Sequence, residues 1–110
     1  MAFDEHLAQR VRALLDARPD VDDRRMFGGI GFLIAGNMCC GVHGDDLIVR
    51  VDPGDCAELM ERETGARPFD MTGRPMRGWL FVAADATAED PDLERWVRRA
   101  EAFASALPPK

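Results

Sequence analysis

Apolar residues recur at helical spacing near both ends of the chain and alternate between them. Phe3, Leu7, Val11, Leu14 and Leu15 lie three or four residues apart, which predicts a first helix closed by Arg18-Pro19. Asp4 and Glu5 stand where a helix N-terminus favours negative charge. Leu93, Trp96, Val97, Ala100, Phe103, Ala104 and Leu107 repeat the pattern over about four turns and predict a last helix, opened by Asp90-Pro91 and ended by Pro108-Pro109.

Between these helices the period changes to two. In the stretch from Met26 to Val51, Phe32 and Ile34 share one strand face, and Leu33 and Ala35 the other. Gly36-Asn37 suits a two-residue turn of type II′. Alternation then assigns Met38, Cys40 and Val42 to one face, and Cys39, Gly41 and His43 to the other. Gly44-Asp45-Asp46 turns again into Leu47–Val51, so the stretch reads as three strands in a meander. The residues before it, Asp20 to Asp23, read as an acidic connector.

Asp52-Pro53 starts a short second helix with Cys56, Leu59 and Met60 on its inner stripe, and Gly65 suits its C-terminal cap. Ala66–Met71 reads as a brief edge strand containing Pro68, and Gly78–Ala83 as a firm strand. The predicted order is α-β-β-β-α-β-β-α. Tight turns force antiparallel pairing, giving an α+β fold of two layers: a sheet of about five strands with helices on one face. A chain of 110 residues fits one domain, 1–110.

Composition narrows the function classes. The net charge of −6 opposes nonspecific nucleic-acid binding, which depends on basic groups neutralising phosphates. The sum hides a pattern: residues 24–51 and 67–84 carry small positive excesses, while the helical segments are acidic. No apolar run approaches the roughly 18 residues of a membrane span, and the N-terminus lacks a signal-peptide pattern, so a cytoplasmic protein is expected. Three cysteines without CxxC spacing read as buried free thiols.

Chemistry finds few footholds. The cluster Gly28-Gly29-x-Gly31 precedes a strand rather than a helix and has no Lys-Ser/Thr pair, so it reads as turn chemistry or close strand approach instead of a phosphate loop. The lone serine, Ser105, sits near the end of the last helix. Cys39 and His43 would lie roughly 13 Å apart along a strand, too far for a catalytic pair. His43-Gly44-Asp45-Asp46 reads as a solvated turn, and Trp79 and Trp96 as core anchors. Arg24, Arg25, Arg67, Arg74 and Arg77 flank the predicted strands; they could form a surface for anions or an acidic partner, or each pair with nearby acids.

The residues that carry a family resemblance are Arg25-Met26-Phe27-Gly28-Gly29-x-Gly31, Gly36-x-Met38, Asp46-Leu47 with Val49-Arg50-Val51-Asp52, Pro68-Phe69, Gly78-Trp79, and Trp96 with Ala100. Over nearly its whole length the chain resembles the N-terminal domain of the TfoX/Sxy family, bacterial proteins linked to competence regulation. Cys39-Cys40 departs from it, standing where the pattern usually has an aromatic and a small residue. The chain also ends after its third helix, so the C-terminal domain of the full-length regulators is expected to be absent. The resemblance implies a two-layer α+β fold and a non-enzymatic role in regulation through protein contacts. It supplies no catalytic, cofactor or metal-binding residues, so none is expected. Partners are expected to be proteins, with links to transcription, and a second copy of the chain, since an edge strand and a partly bare sheet face favour a homodimer. Direct nucleic-acid and membrane binding are not expected. The competing expectation is a small ligand-binding domain or enzyme with an anion site lined by Arg25, Arg67 and Arg77.

Overall fold

A computed structural model describes residues 3–26, 28–70, 73 and 76–110. Phe27 and Arg74, singled out above, lie outside the described residues. Helix α1 spans Glu5–Leu15, and Asp4 caps it by accepting the His6 and Leu7 N–H groups at 2.9 and 3.2 Å. Four strands follow, β1 Val21–Met26, β2 Gly29–Ile34, β3 Asn37–His43 and β4 Asp46–Arg50. Asp52 then caps a 3₁₀ turn over Pro53–Asp55 that leads into α2, Cys56–Arg62. Strands β5, Ala66–Pro68, and β6, Trp79–Val82, precede α3, Asp90–Ser105.

The six strands form one antiparallel sheet in the order β1-β2-β3-β4-β6-β5. The α+β class and the helix order are as the sequence predicts, but there is a sixth strand. It is β1, which occupies the predicted acidic connector and runs antiparallel to all of β2, from Val21 opposite Ile34 to Met26 opposite Gly29. Both faces of this edge carry charge, so no apolar alternation marks it.

Two local departures reshape the centre of the sheet. The β2–β3 turn is Ala35-Gly36, not Gly36-Asn37: both central residues have positive φ, 50° and 85°, and Ile34 pairs with Asn37. That is a type I′ turn, whose twist matches the flanking strands. One residue later the register slips. Phe32 faces Cys40 and Leu33 faces Met38, which leaves Cys39 unpaired in a β-bulge. Cys39 and Cys40 consequently both enter the main core, where alternation would separate them. The Met38 carbonyl by the bulge accepts Arg50 Nη1 at 3.4 Å. The Arg50 guanidinium lies over Trp79 and Phe103 at 5.3 and 5.7 Å from the ring centroids.

Helices α1 and α3 cover one face of the sheet. Leu7, Val11 and Leu15 from α1 and Leu93, Trp96, Val97 and Ala100 from α3 pack on Phe32, Val42, Leu47, Val49, Leu80 and Val82. Burying each of the larger side chains contributes about 1.5–3 kcal/mol before entropy is counted. The Arg95 and Arg99 guanidiniums on α3 bind Glu63, just beyond α2, at 2.8 and 3.4 Å and tie the two helices together. On the other face a smaller cluster forms from Ile48, Phe69 and Phe81, with Trp79 packed against it.

Candidate functional site: two sheet edges and an apolar cavity

The predicted arginine set is split between opposite edges of the sheet. Five inter-strand gaps of about 4.8 Å put β1 and β5 roughly 24 Å apart across the sheet. Arg24 and Arg25 lie on β1, Arg67 lies on β5, and Arg77 follows in the loop before β6. All four side chains are exposed. Arg25, Arg67 and Arg77 are therefore not brought together around a common cleft.

Their individual partners differ. Arg25 lies over the Phe3 ring, 5.1 Å from its centroid, on the helix-covered side. Arg24 points toward Asp22 at a loose 3.9 Å. Arg67 is held by Asp46 at 2.6 Å and lies over Phe81 at 4.7 Å. Among the described residues Arg77 makes no ion pair.

The β1 edge is the longer of the two. Asp22, Asp23, Arg24 and Arg25 are all exposed, and Asp23 accepts Arg12 from α1 at 2.9 Å. The Ala35 N–H donates to the Asp20 carbonyl at 2.9 Å, which sets the phase of the ladder: even-numbered residues bond to β2, and Val21, Asp23 and Arg25 turn their backbone groups outward. The outward Asp23 N–H is capped by the Asp22 carboxylate at 2.9 Å. By contrast, β5 has three residues and ends in Pro68, which blunts that edge.

On the face away from α1 and α3 lies a cavity of about 130 Å³. Met26, Met38 and Met76, brought from a strand end, a bulge and a loop, close it together with Ile48, Phe69 and Trp79. Its floor is low because Gly31 and Gly41 face each other in β2 and β3. A Cβ on Gly41 would meet the Ile30 carbonyl oxygen at 2.6 Å, so the close strand approach requires glycine there. A Cβ on Gly31 would meet only the ends of Met26 and Met38, at 3.1 Å. Among the described residues His43 is the one titratable group in the lining.

Two of the three cysteines are buried as expected; Cys56 is only partly buried, and its sulfur accepts the Gly78 N–H at 3.3 Å. Cys39 and Cys40 are fully buried, and a hydrogen bond from Cys39 together with desolvation pushes the Cys40 thiol well above its ordinary pKa. A thiol so held stays protonated and weakly nucleophilic. Among the described residues, no group of three or more His, Cys, Asp or Glu side chains could hold a metal ion. No helix among them is long and apolar enough to cross a membrane.

Sequence reasoning missed the edge role of Asp22 and Asp23 and the convergence of three methionines. The first was detectable: Gly28-Gly29 at the head of a strand is a hairpin turn signal, and it implies a strand upstream. The second had no local signal, because only the fold collects those side chains.

Together these features define an α+β module: one antiparallel sheet with a helical layer, a small second core and charged groups facing outward. The chain belongs to the TfoX N-terminal domain family, whose model matches residues 13–104. Comparison with curated proteins and with solved structures finds no match.

Proposed function

We propose that the chain is a non-enzymatic regulatory module that works through protein–protein contacts, as a homodimer and toward proteins of the transcription machinery. One observation carries this reading: Arg24, Arg25, Arg67 and Arg77 stand exposed at the two sheet edges rather than around a shared cleft. Outward-facing guanidiniums suit the polar rim of a protein interface, where arginine is enriched. The β5 side, with Arg67 and Arg77, is the surface for an acidic partner. The test is affinity capture from native lysate with the wild type and with an Arg67→Glu/Arg77→Glu variant, followed by identification of the recovered proteins. Transcription proteins retained by the wild type and lost with the variant support the reading; recovery of none of them by the wild type overturns it.

The cavity favours a second reading, a small-ligand module. At about 130 Å³ it is close in size to engineered apolar cavities that take benzene, and its methionines can repack around a guest. Titration of phenol while following methionine methyl resonances checks this. Saturable shifts at Met26, Met38 and Met76, lost when the half-exposed Met76 is changed to Trp, support it; unsaturable shifts exclude it.

A further inference from the structure

On β1, Asp22 and Arg24 carry opposite charges two residues apart, on one face of the strand and on either side of Asp23. We infer that β1 pairs antiparallel with β1 of a second copy, about a twofold axis normal to the sheet at Asp23, joining two six-stranded sheets into one. The inference rests on the homodimer reading above and names its surface and register.

Geometry leaves little freedom. Rotation about the sheet normal keeps every residue on its own face, and opposed residues in a sheet must share a face. Residues facing each other across the axis must therefore both be odd or both be even. Only registers centred on a residue, not between two, satisfy this. With Asp23 at the centre, Asp22 faces Arg24 of the second copy and Arg24 faces Asp22, which gives two ion pairs on the side away from the helices. The outward backbone groups of Val21, Asp23 and Arg25 meet their counterparts, so Asp23 bonds to Asp23 and Val21 to Arg25. Asp22 and Arg24 then form non-hydrogen-bonded pairs, the kind in which side chains approach most closely.

The free chain is poised for this exchange. Apart from the Asp22 cap on the Asp23 N–H, Asp22 and Arg24 have only their loose 3.9 Å contact, at 69% and 66% exposure, so both side chains remain available. The Asp22 cap on the Asp23 N–H yields to a backbone carbonyl when the strands pair. The two Asp23 carboxylates that meet near the axis are each already bound to Arg12. A register centred on Arg24 would instead oppose two guanidiniums on the axis. Short length and proline blunt an edge; β1 is six residues long and has no proline, and its four charges are two of each sign.

Charge exchange tests it. Sedimentation velocity is run from about 10 μM to about 1 mM on the wild type, Asp22→Arg, Arg24→Asp and an equimolar mixture of the two variants. In each variant alone both cross-strand pairs become repulsive, and dimerisation weakens about 10- to 100-fold. In the mixture an Asp-rich strand meets an Arg-rich one, and the heterodimer recovers wild-type affinity. A disulfide formed across the axis by Asp23→Cys, and not by Arg24→Cys, fixes the register. A wild-type dimer indifferent to all these changes overturns the β1 interface and leaves the homodimer reading standing on another surface. A wild type that stays monomeric to the highest concentration overturns both.

Discussion

Ala35 is the one residue other than glycine among those described with a positive φ, at 50°. An L-residue with a Cβ pays roughly 1–2 kcal/mol to sit there, which glycine avoids. Glycine gives back some of that through greater freedom in the unfolded chain. Ala35→Gly is therefore expected to stabilise the fold by about 0.5–1 kcal/mol, read as a higher urea midpoint at unchanged slope. Glu63 shows the opposite case. Its hydrogen bond to Arg95 comes first among the causes that hold its carboxyl below the usual value, with the charges of Arg95 and Arg99 adding to it. A depressed folded-state pKa stabilises the fold above the unfolded value of about 4.5 and stops doing so as pH falls through the folded value. Glu63→Gln is expected to cost about 1 kcal/mol at pH 7, and the gap to wild type should close below pH 4.5. A gap that persists into acid would mean that the side chain contributes by packing instead of charge.

At the scale of elements, the legible parts were those in which one periodicity had a single explanation. Helix α3 shows its stripe because it has one buried face of contrasting polarity, and β2, β4 and β6, buried on both faces, stand out as short apolar runs bounded by turn residues. Strand β1 was not legible: the charges of Asp22 to Arg25 erase alternation where an edge is wet on both sides. The bulge was illegible for the reverse reason. Met38, Cys39 and Cys40 are all apolar, so slipping the register by one leaves the pattern looking unchanged. The fold settles that ambiguity through Arg50, which reaches the Met38 carbonyl and stacks on two rings. Arg50→Met keeps most of the aliphatic bulk and removes the donor. It is expected to cost about 1–3 kcal/mol, from the lost hydrogen bond and two cation–π contacts, and to speed amide exchange around Cys39 more than at the far end of β3. Uniform acceleration along β3 would show that Arg50 acts on global stability alone. The candidate site divides in the same way. Its arginines could be picked out as charges, but whether they converge depended on β1 and β5 lying at opposite edges, which follows from strand order and not from any local pattern.

The accessible surface of the whole molecule is 6211 Å². A compact monomer of this mass is expected to expose about 6,100 Å². The protomer therefore buries as much of itself as an independent domain does, and the second face is closed by its own methionines and aromatics: Ile48, Phe69 and Phe81 are each less than a tenth exposed. A dimer formed through β1 adds backbone hydrogen bonds and ion pairs at a polar edge, with little new apolar burial. Such an association joins folded units and leaves each core intact. It should be weak, salt-sensitive and fully reversible. Dilution from about 1 mM to about 10 μM is expected to dissociate it with no change in far-ultraviolet circular dichroism, and the thermal midpoint should move by only a few degrees over that range. Raising the ionic strength to about 1 M should act as dilution does, because the exposed Asp22–Arg24 pairs are screened. Loss of secondary structure on dissociation would instead mark an obligate dimer, whose protomers complete each other's core, and a surface of the size seen here would then have to be explained by some other packing.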